Sequence, residues 1–198
     1  MASDLYLAST SPYRAALMRR LGLPFSVEAP GIEESPVAGE APAARALRLA
    51  GAKAAAVSAR HPSVWVLGSD QVADCGGLIL EKPGDARRSR EQLRASSGRS
   101  VHFHTAVVLR RDTPAASHEH LDLTVVSFRS LDDDQIARYV ERDRPFDCAG
   151  GFRSEGAGIA LFERVDSSDP TALIGLPLIW VAQALAGVGF DLFAAVQR

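Results

Sequence analysis

The sequence predicts an α/β fold with a mixed β-sheet flanked by helices, on three observations. Short apolar strand candidates alternate with helical stretches through residues 4–97, the order that builds layered α/β domains. Two longer β-rich segments, 100–110 and 119–129, then interrupt that alternation as an antiparallel hairpin. The run Val64–Val72 is nearly all apolar up to Ser69-Asp70, as a strand buried on both faces should be.

Taken in order, residues 4–8 form a first strand. Ser11-Pro12 then supplies an N-cap and a proline at the first helical position, ahead of a pattern running through Leu17, Leu21 and Leu23. A second strand spans 25–29, and the Pro, Gly and Ser content of 30–41 marks a loop. An Ala-rich helix over 42–60 stops at His61-Pro62. After the central strand, Gly76-Gly77 turns the chain into Leu78–Leu80. Gly84-Asp85 caps an Arg-rich helix that runs to Ser97. The hairpin flanks a Thr-Pro turn, and the acids of Asp132–Asp134 open a further helix, where the dipole favours them. A glycine-rich loop over 148–158 leads to a strand at Ile159–Val165, and an apolar helix closes the chain over 176–187.

Composition narrows the class. The chain has 198 residues, 46% hydrophobic and 23% charged, with a formal charge of −2. That length suits one large domain over 1–198 or two closely joined lobes, and the hydrophobic content excludes a disordered chain. The slightly acidic balance argues against a general nucleic-acid backbone binder but allows a local anion pocket. Cys75 and Cys148 form no CxxC pair, so neither a disulfide framework nor a zinc site is indicated. With Asp4 where a signal peptide wants positive charge and no run of about 18 apolar residues, a cytoplasmic, membrane-free protein is expected. Of its 22 basic residues, 20 are Arg and two, Lys53 and Lys82, are Lys; Asn is absent and Ala numbers 32. This pattern reads as GC-rich codon usage, under which a retained lysine is less readily an ordinary surface charge.

Four motifs carry chemistry. In LASTSPYR, residues 7–14, a strand ends at hydroxyl-bearing Ser9 and Ser11 and a helix begins, leaving free N–H groups that suit an anion. Arg14 falls in the first turn, the wrong end of the macrodipole for a cation unless an anion sits there. In GSDQV, 68–72, Asp70 stands at the end of the central strand, where α/β sheets place ligands. A carboxylate there can hold Mg²⁺ or accept a proton from an attacking water, although Asp also commonly begins a turn. Glu81-Lys82-Pro83 makes Lys82 a candidate phosphate ligand, and Lys53 lies on the Ala-rich helix whose other bases are all Arg. Glu33-Glu34, in the Pro/Gly loop, could complete a divalent-metal shell with Asp70. The 148–158 segment lacks both G-x-G-x-x-G and GK[ST] signatures, and its Glu155 could accept hydrogen bonds from a base edge. The remaining clusters have plainer readings. Arg87, Arg88, Arg90 and Arg94 suit a solvated helix face, and His102/His104 and His118/His120 fall too far apart along the hairpin for one metal site.

Together LASTSPYR, GIEES, LAGAKA, GSDQV, EKPGDA, CAGGFRSEGAGI and IGLPL resemble the Maf family of nucleotide pyrophosphatases over almost the whole chain. The resemblance implies a cleft-bearing fold related to the inosine-triphosphate pyrophosphatases. It also implies metal-dependent (Mg²⁺ or Mn²⁺) cleavage of a nucleoside triphosphate to the monophosphate and pyrophosphate. By position it makes Asp70 the catalytic carboxylate and a metal-site residue with Glu34, and makes Ser9, Arg14, Lys53 and Lys82 phosphate ligands. Tyr13, Gln71 and Glu155 fall at the substrate-specificity positions. Members acting on dTTP and UTP typically carry Arg, Thr and Gln there, and the set found here resembles the branch acting on 7-methyl-GTP. A methylated, cationic guanine suits an aromatic face and a carboxylate. Two departures from that branch stand out: Tyr13 replaces a frequent Trp, and Gly151-Phe152-Arg153 replaces Ser-Phe-Lys. The expected partner is a small-molecule nucleotide, with neither nucleic acid nor membrane, and a homodimer accords with the resemblance. The rival reading is a nucleotide-binding regulator of septum formation with little turnover, or a dTTP/UTP pyrophosphatase.

Overall fold

β1 (Leu5–Ala8) leads through the Ser11 cap into α1 (Pro12–Arg19), and β2 (Ser26–Glu28) follows. The computed structural model describes residues 4–193. α2 (Pro42–Ser58), β3 (Trp65–Cys75), β4 (Leu78–Leu80) and α3 (Ala86–Ser96) come next. Then come β5 (Ser100–Asp112), β6 (Ala115–Phe128), α4 (Asp133–Asp143), β7 (Phe162–Asp166) and α5 (Leu178–Gly187), with 3₁₀ turns at Ala149–Gly151, Ala157–Leu161 and Ala172–Ile174. Among the described residues the seven strands form one mixed sheet of order β2-β1-β3-β5-β6-β7, with β4 paired to β3. β1 runs parallel to β2 and β3, whereas β3–β4 and β6–β7 are antiparallel. The α/β mixed-sheet class expected from the sequence is the one observed.

The chain divides into two compact units. One takes in the chain up to Gln71, Thr105–Asp122 and the chain from Asp169; the other takes in Val72–His104 and Leu123–Ser168. The first unit buries Leu5, Leu7, Leu17, Met18, Trp65, Leu67, Leu109, Leu176, Val181 and Leu185 in one cluster. A smaller cluster of Ala8, Val57 and Val66 seals α2 to the strands. In the second unit Phe152 meets Phe103, Phe128 and Phe162 edge-on, with centroids 4.8–5.5 Å apart, the geometry aromatic quadrupoles prefer.

Helix starts follow their caps. Ser11 accepts from Arg14 N, Asp85 from Arg88 N, and Asp132 from Gln135 N, with the Gln135 side chain closing a capping box. Four boundaries depart from the sequence expectation. α1 ends at Arg19 rather than reaching Leu23, because Gly22 takes a positive φ of 72° and turns the chain, though Leu21 and Leu23 still join the core. β3 runs on to Cys75, so Asp70 lies inside the strand and not at its end. The pairing of Ala73, Asp74 and Cys75 with Leu80, Ile79 and Leu78 carries the extended backbone past it. β6, a hydrogen-bonded neighbour of β5, begins at Ala115, directly after Thr113-Pro114, so that its mostly exposed polar first half belongs to the strand. The strand expected at Ile159–Val165 starts at Phe162 instead. Asp143 Oδ2 accepts from Ala157 N at 2.8 Å, and a Cβ on Gly158 would meet the Arg153 backbone, so the chain closes into a 3₁₀ turn before it can extend.

Candidate active site

The site is built on the first unit around β3. Side chains alternate along a strand, so Gly68 and Asp70 leave one face while Ser69 and Gln71 leave the other. Gly68 brings α2 close: a Cβ there would lie 2.6 Å from Ala54 N and 2.9 Å from Ala54 Cβ, nearer than atoms can sit. Ala50 and Ala54 supply the facing helix surface, and Lys53, beside them, is thereby set over Asp70. Lys53 Nζ donates to Asp70 Oδ1 at 2.6 Å and lies 2.9 Å from Glu34 Oε1. Lys53 and Asp70 are 6% and 7% exposed, whereas the Glu34 side chain, in the loop before α2, is half exposed.

α1 brings the second group of residues. Ser9, buried at the end of β1, receives a hydrogen bond from Ser11 N at 3.0 Å and donates its own N–H to Glu28 O. That turn aims the start of α1, where Pro12 has no N–H to lose and Ser11 caps the helix. Tyr13 and Arg14 follow, both half-buried. Arg14 Nε donates to Gly175 O at 3.0 Å, and Ser69 Oγ donates to the same carbonyl at 2.9 Å. Gly175 has a φ of 122°, which side-chain-bearing residues rarely adopt, and Arg14 Nε would lie 3.2 Å from a Cβ there.

Electrostatics tie these groups together. Burial pushes the Asp70 carboxyl above its ordinary range; Lys53 and Arg14 oppose that rise and Glu34 adds to it. Burial likewise lowers the Arg14 guanidinium, against the pull of Asp70 and Glu34. The cation that sits at the wrong end of the α1 dipole is thus offset by carboxylates within the protein.

The candidate site residues fall on both units. Ser9, Tyr13, Arg14, Glu34, Lys53, Asp70 and Gln71 belong to the first. Gln71 Nε2 donates to Thr105 Oγ1, Ala172 O and Leu173 O at 2.9–3.1 Å. Lys82 and Glu155 belong to the second. Lys82 is exposed after β4, and Glu155 is exposed in the glycine-rich loop, where Ser154 Oγ donates to it at 2.8 Å. That loop is tied to α4 through Tyr139, whose hydroxyl accepts from Arg153 N at 2.9 Å and is held protonated by burial. The histidines lie elsewhere: His118 tilts against Trp65 and His120 stacks on Trp180.

Sequence reasoning missed three contributors. Gly68 and Gly175 act through backbone approach, and Ser69 through a bond to a residue 106 positions away. The IGLPL motif was the one signal pointing to Gly175.

Glu34 and Asp70 converge on a single ammonium, and their hard oxygen donors suit Mg²⁺ or Mn²⁺. No group of three or more His, Cys, Asp or Glu among the described residues is arranged to hold a metal. A divalent ion bound by these two carboxylates would complete its shell with water and phosphate oxygens, as Mg²⁺ usually does.

Comparison with known proteins places the architecture first. The fold is of the α/β class seen in the Staphylococcus aureus Ham1 protein, with a TM-score of 0.52 at 11% identity, covering 93% of this chain and 98% of that one. The chain belongs to the Maf family, whose description, Maf-like protein, fits residues 4–188. A 7-methyl-GTP pyrophosphatase of Xanthomonas oryzae pv. oryzae is 51% identical over 97% of this chain and all of its own length. One from Ralstonia nicotianae is 48% identical over 98% of this chain and again its full length. No helix among the described residues is long and apolar enough to cross a membrane.

Proposed function

We propose that this chain is a cytoplasmic nucleoside triphosphate pyrophosphatase that cleaves 7-methyl-GTP to 7-methyl-GMP and pyrophosphate. The observation that carries the chemistry is the buried Asp70 carboxylate, paired with Lys53 and lying within the field of Arg14. The relatives, about half identical over nearly the whole chain, support the substrate.

Hydrolysis joins a water oxygen to the α-phosphorus, breaks the α–β phosphoanhydride and releases pyrophosphate with its electron pair. No covalent enzyme intermediate is required, so positioning and charge neutralisation supply the catalysis. Asp70 takes the proton of the attacking water, and its raised proton affinity brings it closer to the operating pH, where a general base works best. Lys53 holds the carboxylate in place and lends charge to the phosphates. Arg14, Ser9 and the start of α1 hold the polyphosphate, the helix by its free N–H groups and dipole. Tyr13, in the same turn, offers an aromatic face to the cationic base. A divalent ion bound by Glu34 and Asp70 would draw negative charge from the phosphates.

A panel of 7-methyl-GTP, GTP, dTTP and UTP with Mg²⁺ or Mn²⁺, scored for pyrophosphate, tests the proposal. The expected result is highest kcat/KM for 7-methyl-GTP and loss of turnover with a chelator. Preference for dTTP or UTP overturns the substrate assignment, release of orthophosphate overturns the bond cleaved, and binding without hydrolysis favours a regulator.

A further inference from the structure

Glu155 stands on a turn that one helix face holds at both ends. Gly156 N donates to Arg153 O at 3.3 Å and closes the turn, which makes Glu155 its third residue. Two residues before Glu155, Arg153 N donates to the Tyr139 hydroxyl at 2.9 Å. Two residues after it, Ala157 N donates to Asp143 Oδ2 at 2.8 Å. Tyr139 and Asp143 are four residues apart on α4, so their side chains leave the same face of the helix. Both are set into the protein: Tyr139 is 6% exposed and the Asp143 side chain 12%.

Glycine makes room for these bonds. A Cβ on Gly156 would lie 2.8 Å from Asp143 Oδ2, and one on Gly158 would meet the Arg153 backbone. Just ahead of the turn, Phe152 is locked edge-on among Phe103, Phe128 and Phe162. Glu155 itself is exposed. An exposed carboxylate selects a pair of N–H donors well only when little freedom is lost on binding, and α4 removes that freedom in advance.

We propose that Tyr139 and Asp143 are positioning residues for Glu155, and that by holding the two amides flanking it they set the preference for a base edge rich in N–H donors. This inference rests on the reading of the chain as a nucleotide pyrophosphatase with Glu155 facing the base.

The test is the ratio of kcat/KM for 7-methyl-GTP to that for UTP, since a general loss of structure lowers both alike. It is measured for wild type, Tyr139→Phe, Asp143→Ala, Asp143→Asn, Glu155→Ala and the Tyr139→Phe/Glu155→Ala double variant. The affinities for 7-methyl-GMP and UMP are measured beside it by calorimetry. The ratio is expected to fall roughly tenfold in Tyr139→Phe and in Asp143→Ala, each of which removes one acceptor. Asp143→Asn keeps an oxygen that can accept from Ala157 N and should restore most of the ratio. Adding Tyr139→Phe to Glu155→Ala should lower the ratio no further than Glu155→Ala alone. Tyr139→Phe keeps the ring in its place and carries the test if Asp143→Ala does not fold. Equal proportional losses on both nucleotides, a further loss in the double variant, or Asp143→Asn no better than Asp143→Ala would each overturn the proposal. Pyrophosphate release at a ratio that Glu155→Ala leaves unchanged overturns the positioning role and leaves the pyrophosphatase reading standing. If wild type hydrolyses no nucleotide but binds 7-methyl-GMP over UMP with this same dependence on Tyr139 and Asp143, the pyrophosphatase reading fails and the positioning role stands; without that preference both fail.

Discussion

Lys53 and Asp70, 17 residues apart in the chain, meet as a buried ion pair at 2.6 Å, and the half-exposed Glu34 shares the same ammonium at 2.9 Å. Desolvating two charges is costly, and attraction repays it only with close geometry and further partners. Here the geometry is close, and the third charge supplies the further partner.

Removing Lys53 should therefore be severe. Lys53→Met leaves Asp70 buried without its cation and is expected to lower stability by about 3–5 kcal/mol. Lys53→Arg keeps the charge, but its planar fork does not fit a site shaped for a compact ammonium, so kcat falls while the protein still folds. Urea denaturation and steady-state kinetics on the two variants check this, and normal turnover by Lys53→Arg would return the lysine to the status of a compositional leftover.

Asp70→Asn should separate activity from stability. Because burial raises the Asp70 carboxyl, the native state binds its proton more tightly than the unfolded chain does. The stability linked to this group is full below the ordinary carboxylate value, about pH 4, and is lost as pH rises through the raised native value. Asp70→Asn removes that loss, so its Tm should hold steadier than that of wild type above pH about 4. Turnover should be abolished. Unchanged kcat, or superimposable melting profiles across pH, would contradict the assignment.

Gly68→Ala tests the close approach of β3 and α2. The added Cβ meets the backbone N–H of Ala54, which cannot swing aside as a side chain would. Overpacking of this kind costs about 1–3 kcal/mol or more, and moving α2 also draws Lys53 away from Asp70. Both the urea midpoint and kcat are expected to fall; retention of full activity would show that the helix placement is not critical.

On the acid side, Glu28 supplies a different dependence. Its carboxylate accepts from His61 Nε2 at 2.7 Å and from Arg60 Nε, joining β2 to the end of α2, and these bonds lower its pKa. A lowered carboxylate contributes stability above its ordinary value and loses it as pH falls through the native one. Wild type and Glu28→Gln melting curves should therefore differ at neutrality and converge in acid. A constant gap across that range would rule out Glu28 as the source.

The readable parts of this protein were those specified within a few residues. Ser11-Pro12, Asp85 and Asp132 announce helices because a cap is a local device, and the apolar run before Ser69 announces a central strand. Asp70, Lys53, Glu34 and Arg14 were singled out by type and motif, and the structure brings these four together on one unit. Their arrangement could not be read, because it depends on distant contacts: Gly175 lies 161 residues from Arg14, and the extension of β3 past Asp70 depends on its pairing with β4. The bonds of Gln71 escape a sequence reading for the same reason as the 157–161 turn does. In both, a polar side chain chose backbone partners that no nearby spacing reveals.

The bare backbone at Gly68 also changes the meaning of the alanine count. Thirty-two alanines in 198 residues look like the imprint of nucleotide composition. At Ala54, however, the helix sets its methyl against the strand where the strand has no side chain at all. The Ala54 methyl is fixed by clearance, and that position should resist enlargement in relatives whose genomes favour quite different codons. A sequence bias and a steric requirement have chosen the same letter, and only the latter would survive a change of genome.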